Sequence, residues 1–409
     1  MVLLEVVGLG PLLTGSVHTL AILGSTGSVG RQCLQVVEQF PERLGVAALA
    51  AGENLEQLAG QVARFHPEVV AIAAQEKIGA LRARLRALGV AREPEILWGR
   101  EGLNAIATHA RADLVVSATV GIVGLEATYR ALVVGKTVAL ANKEVLVAAG
   151  QLVTQAASAA GAEILPVDSE HSAIHQCLRA GQRRELRRLI LTASGGPFLK
   201  WPRARLARVT PHQALQHPHW RMGKRITVDS ATLMNKGLEM IEARWLFGLR
   251  PEQIEVAIHP QATVHSMVEF VDGSVLAQLA PPDMRLPLQY ALTYPDRLPS
   301  NHHRLSWTQL RRLEFLAPDE KKFPCLRLAR ETLRAGGSLP CALNAADEVA
   351  VAAFLARRLR FPQIPELIER VLEASTPLPL RSIDDVLACD RQARAYAEHV
   401  LATLGKRKR

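Results

Sequence analysis

From Val17 the chain alternates short apolar runs with amphipathic stretches. The runs HTLAILGS, GVAALAA, EVVAIAA, DLVVSAT, KTVALAN and AEILPVD have few polar positions. Strands of a parallel sheet read this way because helices cover both their faces. Six such runs before residue 168 predict a doubly wound α/β sheet, and Val29–Gln39 and Leu55–Phe65 have the spacing and length of crossover helices. After Pro166 the texture changes. LILTAS and TVHSMVEF read as strands, separated by a loop from Ser194 to Lys224 rich in Gly, Pro, His and Trp, which predicts an α+β unit. Leu279 to about Leu316 is proline-rich with few periodic runs, the pattern of a connection. From Lys321 the spacing is helical, notably over Asn344–Arg358 and Pro365–Ala374. The chain thus divides into an extension (1–16), three units (17–166, 167–292 and 321–409) and a linker (293–320). No internal repeat or low-complexity tract interrupts this order.

A chain of 409 residues exceeds one compact core, consistent with several domains. Its composition, 48% hydrophobic and 22% charged, is that of a folded globular protein. The net charge of +10 suits anionic partners such as nucleic acid, acidic lipid or phosphorylated metabolites. Much of it sits in Arg183–Arg188 and the tail Lys406–Arg409, without interleaved aromatics to stack on bases, so these read as solvated helix faces and a frayed end. No helix-turn-helix or RNP-like signal points to nucleic acid. Five cysteines (33, 177, 325, 341 and 389) form no CxxC pair and no zinc spacing, which fits a reducing, cytoplasmic compartment. Residues 1–16 are apolar but lack a basic n-region, contain Glu5 and are shorter than the about 20 residues a bilayer requires, so no membrane partner is expected.

Candidate chemistry begins at Gly24-Ser25-Thr26-Gly27-Ser28-Val29-Gly30, which follows the strand LAIL and opens a helix. Glycine lets backbone approach a pyrophosphate and the helix start offers free N–H groups, the context of a dinucleotide loop; a plain strand-to-helix turn is the alternative. Ala51-Gly52-Glu53-Asn54 ends the second strand, where an adenosine ribose would lie. An acidic Glu53 there would accept from a ribose 2′-OH and repel a 2′-phosphate, favouring NADH, unless it is a solvent-facing glutamate near a helix start. Asp168-Ser169-Glu170 follows a strand, and alternation would point both carboxylates one way. With a third carboxylate they would make a Mg²⁺ or Mn²⁺ site; helix capping is the competing use. That third ligand is offered by VDSATLMNKGLE, where Asp229 or Ser230 would cap a helix carrying Asn235, Lys236 and Glu239 on nearly one face. An ordinary capped amphipathic helix has the same pattern. Ser194-Gly195-Gly196-Pro197 suits a phosphate nest or a tight turn. His217-Pro-His-Trp220-Arg-Met222-Gly223-Lys224 has the make-up of a lid. Asn142-Lys143-Glu144 ends another strand on the ligand-binding edge, and His265 reads as a satisfied sheet histidine.

Taken together, GSTGSVG, LANKE, PVDSEHSAIHQCL, TASGGPF, HPHWRMGKRITVDSATLMNKGLE and HPQATVHSMVEFVDGSVLAQL closely resemble, in order, the 1-deoxy-D-xylulose 5-phosphate reductoisomerase family, from about Val17 to Leu404. The resemblance implies a Rossmann-like NADPH domain (17–166), a central α+β catalytic and dimerisation domain (167–292) with a lid at 216–224, and a C-terminal helical bundle. It implies rearrangement of the ketose phosphate to a branched aldehyde and its reduction to 2-C-methyl-D-erythritol 4-phosphate, in non-mevalonate isoprenoid synthesis. It further implies a homodimer using Mn²⁺, Mg²⁺ or Co²⁺. Carried over by position, Asp168, Glu170 and Glu239 are the metal ligands. Lys143, Ser169 and Glu170 contact the sugar; Ser194, His217, Ser230, Asn235 and Lys236 hold the phosphate; Trp220 and Met222 belong to the flap. Thr26, Gly27, Ser28, Val29, Gly52, Glu53, Asn54, Asn142, Glu144 and Gly223 match cofactor positions. Two departures stand out: many family members have a basic residue where this chain has Glu53, and the extension before Val17 has no counterpart in compact members.

Two other classes compete. A plain NAD(P)-dependent dehydrogenase of a small phosphorylated or amino-acid-derived aldehyde explains the glycine loop but leaves DSE and NKGLE without a task. A redox-sensing nucleic-acid-binding protein predicts a basic recognition helix, which the sequence lacks.

Overall fold

The computed structural model describes residues 17–220 and 222–406, so the reading of residues 1–16 lies outside the described residues. Strand β1 (His18–Leu23) runs through the glycine loop into α1 (Ser28–Gln39), followed by β2 (Leu44–Ala50), α2 (Leu55–Phe65), β3 (Val69–Ile72) and α3 (Ile78–Ala87). The alternation continues with β4 (Glu95–Trp98), α4 (Gly99–Ala107), β5 (Leu114–Ser117), α5 (Leu125–Val133), β6 (Thr137–Leu140), α6 (Glu144–Ala160) and β7 (Ile164–Pro166). All seven strands are parallel, in the order β4-β3-β2-β1-β5-β6-β7. The order reverses between β1 and β5, so the crevice at the carboxyl end of β1 is the switch point where such sheets bind ligands.

Alternate residues of each strand enter opposite cores. Leu20 and Ile22 pack with residues of α1, α2 and α3, whereas Ala21 and Leu23 pack with α4, α5 and α6. Close approach at the switch point depends on two glycines. Gly24 has φ +87°, and a Cβ there would stand 2.4 Å from the Ala118 carbonyl oxygen; a Cβ at Gly30 would stand 2.3 Å from the Gly24 oxygen.

Helix α7 (Ser169–Leu178) leads to a second sheet of β8 (Leu186–Ala193), β9 (Ile254–Ile258), β10 (Val264–Phe270) and β11 (Val275–Leu279), ordered β11-β10-β8-β9. Between β8 and β9, which pair in parallel, run α8 (Pro211–Ala214), α9 (Lys224–Thr232) and α10 (Met234–Phe247). Then come α11 (Arg285–Thr293) and the helices α12 (Pro324–Ala335), α13 (Leu339–Leu355), α14 (Gln363–Glu373) and α15 (Ile383–Lys406). One continuous hydrophobic cluster joins β8, α10 and the four last helices, so these helices buttress the second sheet from behind.

Four expectations change. The first sheet has seven strands because Glu95–Trp98 forms β4, a short edge strand whose pattern, exposed at both ends, hid it among the charged residues around it. The stretch read as a bare connection contains α11, whose Leu288, Ala291 and Leu292 fill the first sheet's core. Asp229 and Ser230 cap nothing; both lie in the last turn of α9, and α10 starts after Leu233 in the left-handed conformation (φ 62°). Asp168 and Glu170 converge by a different route: Asp168 is the N-cap of α7, accepting from Ser169 N, and Glu170 sits in its first turn.

Gly30→Ala adds helix propensity of about 1 kcal/mol. It also drives a Cβ against Gly24 and Ser25 backbone, which cannot rotate aside. The clash dominates, and a net loss of about 2 kcal/mol is expected in urea unfolding; an unchanged midpoint would contradict this packing.

Candidate active site

The glycine loop runs from a strand into a helix as its sequence context predicts, and the strand order puts it at the switch point. Gly27 is the N-cap of α1 and supplies no side chain, so the first N–H groups of the helix have no side-chain cap. A cavity of about 530 Å³ at the carboxyl ends of the strands is lined by Gly24, Ala50, Gly52, Ile72, Gly99 and Thr119, among others. Glu53, beside it and largely exposed, pairs with Lys77. Asn54 is the N-cap of α2, accepting from Gln57 N at 3.1 Å. Asn142 is buried and donates to the Thr119 and Gly121 carbonyls at 2.8 Å, tying the end of β6 to the loop after β5.

A second cavity, of about 310 Å³, lies between the start of α1 and the second sheet. Ser28, Val29, Lys143, Asp168, Ser169, Glu170, Ser194, His217, Trp220, Met222, Gly223, Ser230, Asn235, Lys236 and Glu239 all line it. Thr26 and Gly27 are in the loop just before Ser28. At its base the side-chain oxygens of Asp168, Glu170 and Glu239 lie within 4.8 Å of one another. Two ammonium groups hold them together: Lys143 Nζ is 2.5 Å from Asp168 Oδ2, and Lys236 Nζ donates to Glu170 at 2.8 Å and to Glu239. Asn235 completes the net, donating to Glu239 Oε1 at 2.5 Å and accepting from Lys143 Nζ at 3.1 Å. Lys236 and Asn235 therefore engage carboxylates here, at the same cavity that Ser194 and His217 line.

Electrostatics follow from burial and crowding. Burial pushes Glu239 up, the charges of Glu170 and Asp168 add to it against Lys236, and the carboxyl reaches about 8. Burial acts on Glu170 too, but Lys236 and the Ser169 hydroxyl outweigh it and pull it down to about 2. Burial disfavours the charge on Lys143, yet Asp168, Glu239 and Glu242 more than compensate and hold the ammonium protonated. An all-oxygen set of three carboxylates suits a hard divalent cation, which would take over the neutralising role the lysines now share. Asp168 also stands near His171 and Glu242, a second potential ligand group. Those two are fully buried and do not line the cavity, so the group with Glu170 and Glu239 is the one open to a substrate.

On the opposite wall Ser194 Oγ is 3.0 Å from His217 Nε2, and Gly196 N donates to Ser194 Oγ at 3.3 Å. Gly195 and Gly196 have φ of 83° and 67°, and a Cβ at Gly196 would meet the Ser230 carbonyl oxygen at 2.7 Å, so the turn lies directly on α9. Burial, then neighbouring His219, lowers His217 to about 4, leaving a neutral ring. His217 Nδ1 accepts from His219 N and Trp220 N, which folds the loop over the cavity. Trp220 faces His265 with ring centroids 6.4 Å apart. His265 is hydrogen-bonded to Ala280 O at 3.2 Å and also lines the cavity, so it is more than sheet filling.

Sequence reading passed over Asp283 and Met284, which line the cavity from the Pro-rich stretch before α11, and Arg225. Arg225, the second residue of α9, reaches Glu144 at 2.8 Å, Glu348 at 2.7 Å and Asn344 at 2.8 Å, so the starts of α6 and α9 and the middle of α13 meet at one guanidinium. No short-range spacing signals partners more than 80 residues away. Arg225→Met removes the cation beside buried Asp229 and Asp347 and part-buried Glu144 and Glu348, and a loss of about 3 kcal/mol is expected. Burial already raises Asp347 to about 6 with Arg225 opposing it, so removing Arg225 raises it further. A carboxyl raised above its unfolded value binds protons more in the folded state, so stability falls as pH rises through that window. The variant's deficit relative to the unaltered chain is therefore expected to be larger at pH 8 than at pH 5.5; a pH-independent deficit would count against the cluster.

Profiles described as 1-deoxy-D-xylulose 5-phosphate reductoisomerase, its C-terminal domain, and DXP reductoisomerase C-terminal domain match residues 20–150, 164–247 and 279–396. Proteins named 1-deoxy-D-xylulose 5-phosphate reductoisomerase from Solibacter usitatus and Symbiobacterium thermophilum are 50% and 52% identical, over 93% and 92% of this chain and 97% of each relative. The Zymomonas mobilis reductoisomerase solved with NADPH superposes with TM-score 0.88 at 42% identity, covering 94% of this chain and 99% of that one. A DOX-P reductoisomerase solved with NADPH, fosmidomycin and magnesium gives 0.89 at 40% identity, covering 95% and 99%. The chain belongs to the 1-deoxy-D-xylulose 5-phosphate reductoisomerase family.

Proposed function

We infer that this chain catalyses the NADPH-dependent rearrangement and reduction of 1-deoxy-D-xylulose 5-phosphate to 2-C-methyl-D-erythritol 4-phosphate, with a divalent metal. The observation that carries it is the convergence of Asp168, Glu170 and Glu239 in a cavity that Ser28 and Val29 of the glycine loop also line. The donor set fits Mg²⁺ or Mn²⁺, and the uncapped start of α1 fits a pyrophosphate. When bound, the cation would polarise the ketose carbonyl and the reduced nicotinamide would supply hydride.

The chain's own residues do the rest. Asp168, Glu170 and Glu239 would hold the cation, releasing Lys143 and Lys236 to face substrate oxygens. Ser194, the neutral His217 and Ser230 would receive the phosphate together with Asn235, fixing the far end of the sugar so that its reacting carbons are oriented. Trp220 and Met222 would close the cavity and exclude water from the reduced cofactor. In this reading residues 17–166 carry the cofactor, 167–292 the chemistry, and the last helices brace α9 and α10.

We extend the reading to a homodimer. Strand β11 is a sheet edge with Val275 48% and Leu276 38% exposed beside exposed Val271, the kind of edge a second copy covers. Sedimentation is expected to give twice the chain mass. Five free thiols fit a cytoplasmic setting, and no helix among the described residues is long and apolar enough to cross a membrane.

The deciding experiment is NADPH oxidation with the ketose phosphate, with product analysed by carbon NMR. A branched polyol phosphate is expected, with turnover lost on chelation and restored by Mg²⁺ or Mn²⁺; an unbranched product would sink the assignment. Glu239→Gln is expected to lower turnover about a hundredfold or more while NADPH affinity stays within about twofold. Unchanged turnover would remove Glu239 from the ligand set.

A further inference from the structure

Glu53 stands where an acidic residue conventionally accepts from the 2′-OH of an adenosine ribose and so selects NADH. The structure gives that carboxylate another occupation. It is 74% exposed and ion-paired with Lys77, whose side chain is only 30% exposed. The two come from neighbouring parallel strands: Glu53 follows the end of β2, and Lys77 ends the short 3₁₀ turn Gln75–Lys77 after β3. Gly52 and Ala73, just inside them, line the large cavity at the strand ends. Both charges thus stand at the rim of the cavity expected to take the adenosine half.

Among the described residues the one cation that lines this cavity, Arg100, is committed. Arg100 is bound to Glu126, which also receives Arg130 at 2.8 Å. Lys77 differs because its partner is an exposed carboxylate that can turn into water at little cost. A phosphomonoester carries close to two negative charges and three acceptor oxygens, so it competes for a lysine better than one solvated carboxylate does.

We propose that Lys77 is the specificity-determining residue of the cofactor site, its ammonium meeting a ribose 2′-phosphate, and that Glu53 is the tether holding it at the rim until the dinucleotide arrives. The proposal rests on the NADPH reading above and deepens it. A basic residue at position 53 would contact such a phosphate directly; here the cation has moved one strand over, and the acid in its place steers that cation instead of rejecting the phosphate.

Calorimetric titration of the full chain with NADPH and with NADH, without substrate, tests this. The unaltered protein is expected to bind NADPH more tightly. Lys77→Ala is expected to raise the NADPH Kd about tenfold and to leave the NADH Kd within about twofold. Glu53→Ala removes the tether together with the competing carboxylate, so NADH binding is expected to stay unchanged and the NADPH Kd to move by no more than about threefold. Equal effects of Lys77→Ala on both dinucleotides, or no effect on NADPH, would overturn the assignment. So would weaker NADH binding in Glu53→Ala, which would show Glu53 accepting from the ribose. A protein that binds NADPH tightly through some other cation defeats only the Lys77 assignment, whereas one that binds neither dinucleotide defeats the proposed function with it.

Discussion

Three carboxylates within 4.8 Å of one another, with Glu239 completely buried, are a costly arrangement. At that separation each pair of like charges repels by about 3 kcal/mol for an effective dielectric near 20, before desolvation is added. The fold tolerates the cluster because two buried ammonium groups, Lys143 and Lys236, stand among the oxygens, and because Glu239 can hold a proton. Such a site is stable yet easily exchanged for one with a divalent cation, which concentrates in one ion the charge that two side chains now supply. Much else in the architecture serves to bring these five groups together.

They arrive from three separate segments of the chain. Lys143 follows β6 on the carboxyl edge of the first sheet, Asp168 and Glu170 open α7 just past β7, and Lys236 and Glu239 occupy the first turns of α10. The left-handed Leu233 breaks the line between α9 and α10, so Ser230 and Asn235 both face the cavity from separate helices. The Gly195-Gly196 turn can lie on α9 because Gly196 has no Cβ to meet the Ser230 carbonyl. Arg225 then ties the start of α9 to α6 and α13, so the last helices support the cavity without lining it.

How much of this was legible in sequence depended on the range of the interaction. The apolar runs gave six of the first sheet's strands, since burial on both faces leaves a local signature. Strand β4 escaped because Glu95–Trp98 is an edge strand with exposed ends, and α11 escaped because Pro281, Pro282 and Pro287 masked its periodicity. Asp168 and Glu170 were singled out together with the wrong local geometry, since a helix cap and a strand end share a residue pattern. Pairings such as Glu53 with Lys77, or Arg225 with Glu348, join residues that only the tertiary fold makes neighbours. The motifs could name Glu53 as a charge in an odd place but could not supply its partner.

The most direct test of the central claim is an anomalous-scattering map of crystals soaked in Mn²⁺. One peak is expected, about 2 Å from oxygens of Asp168, Glu170 and Glu239, with the Lys236 ammonium displaced from them. No peak at this cluster, or a peak seated instead among Asp168, His171 and Glu242, would contradict the account.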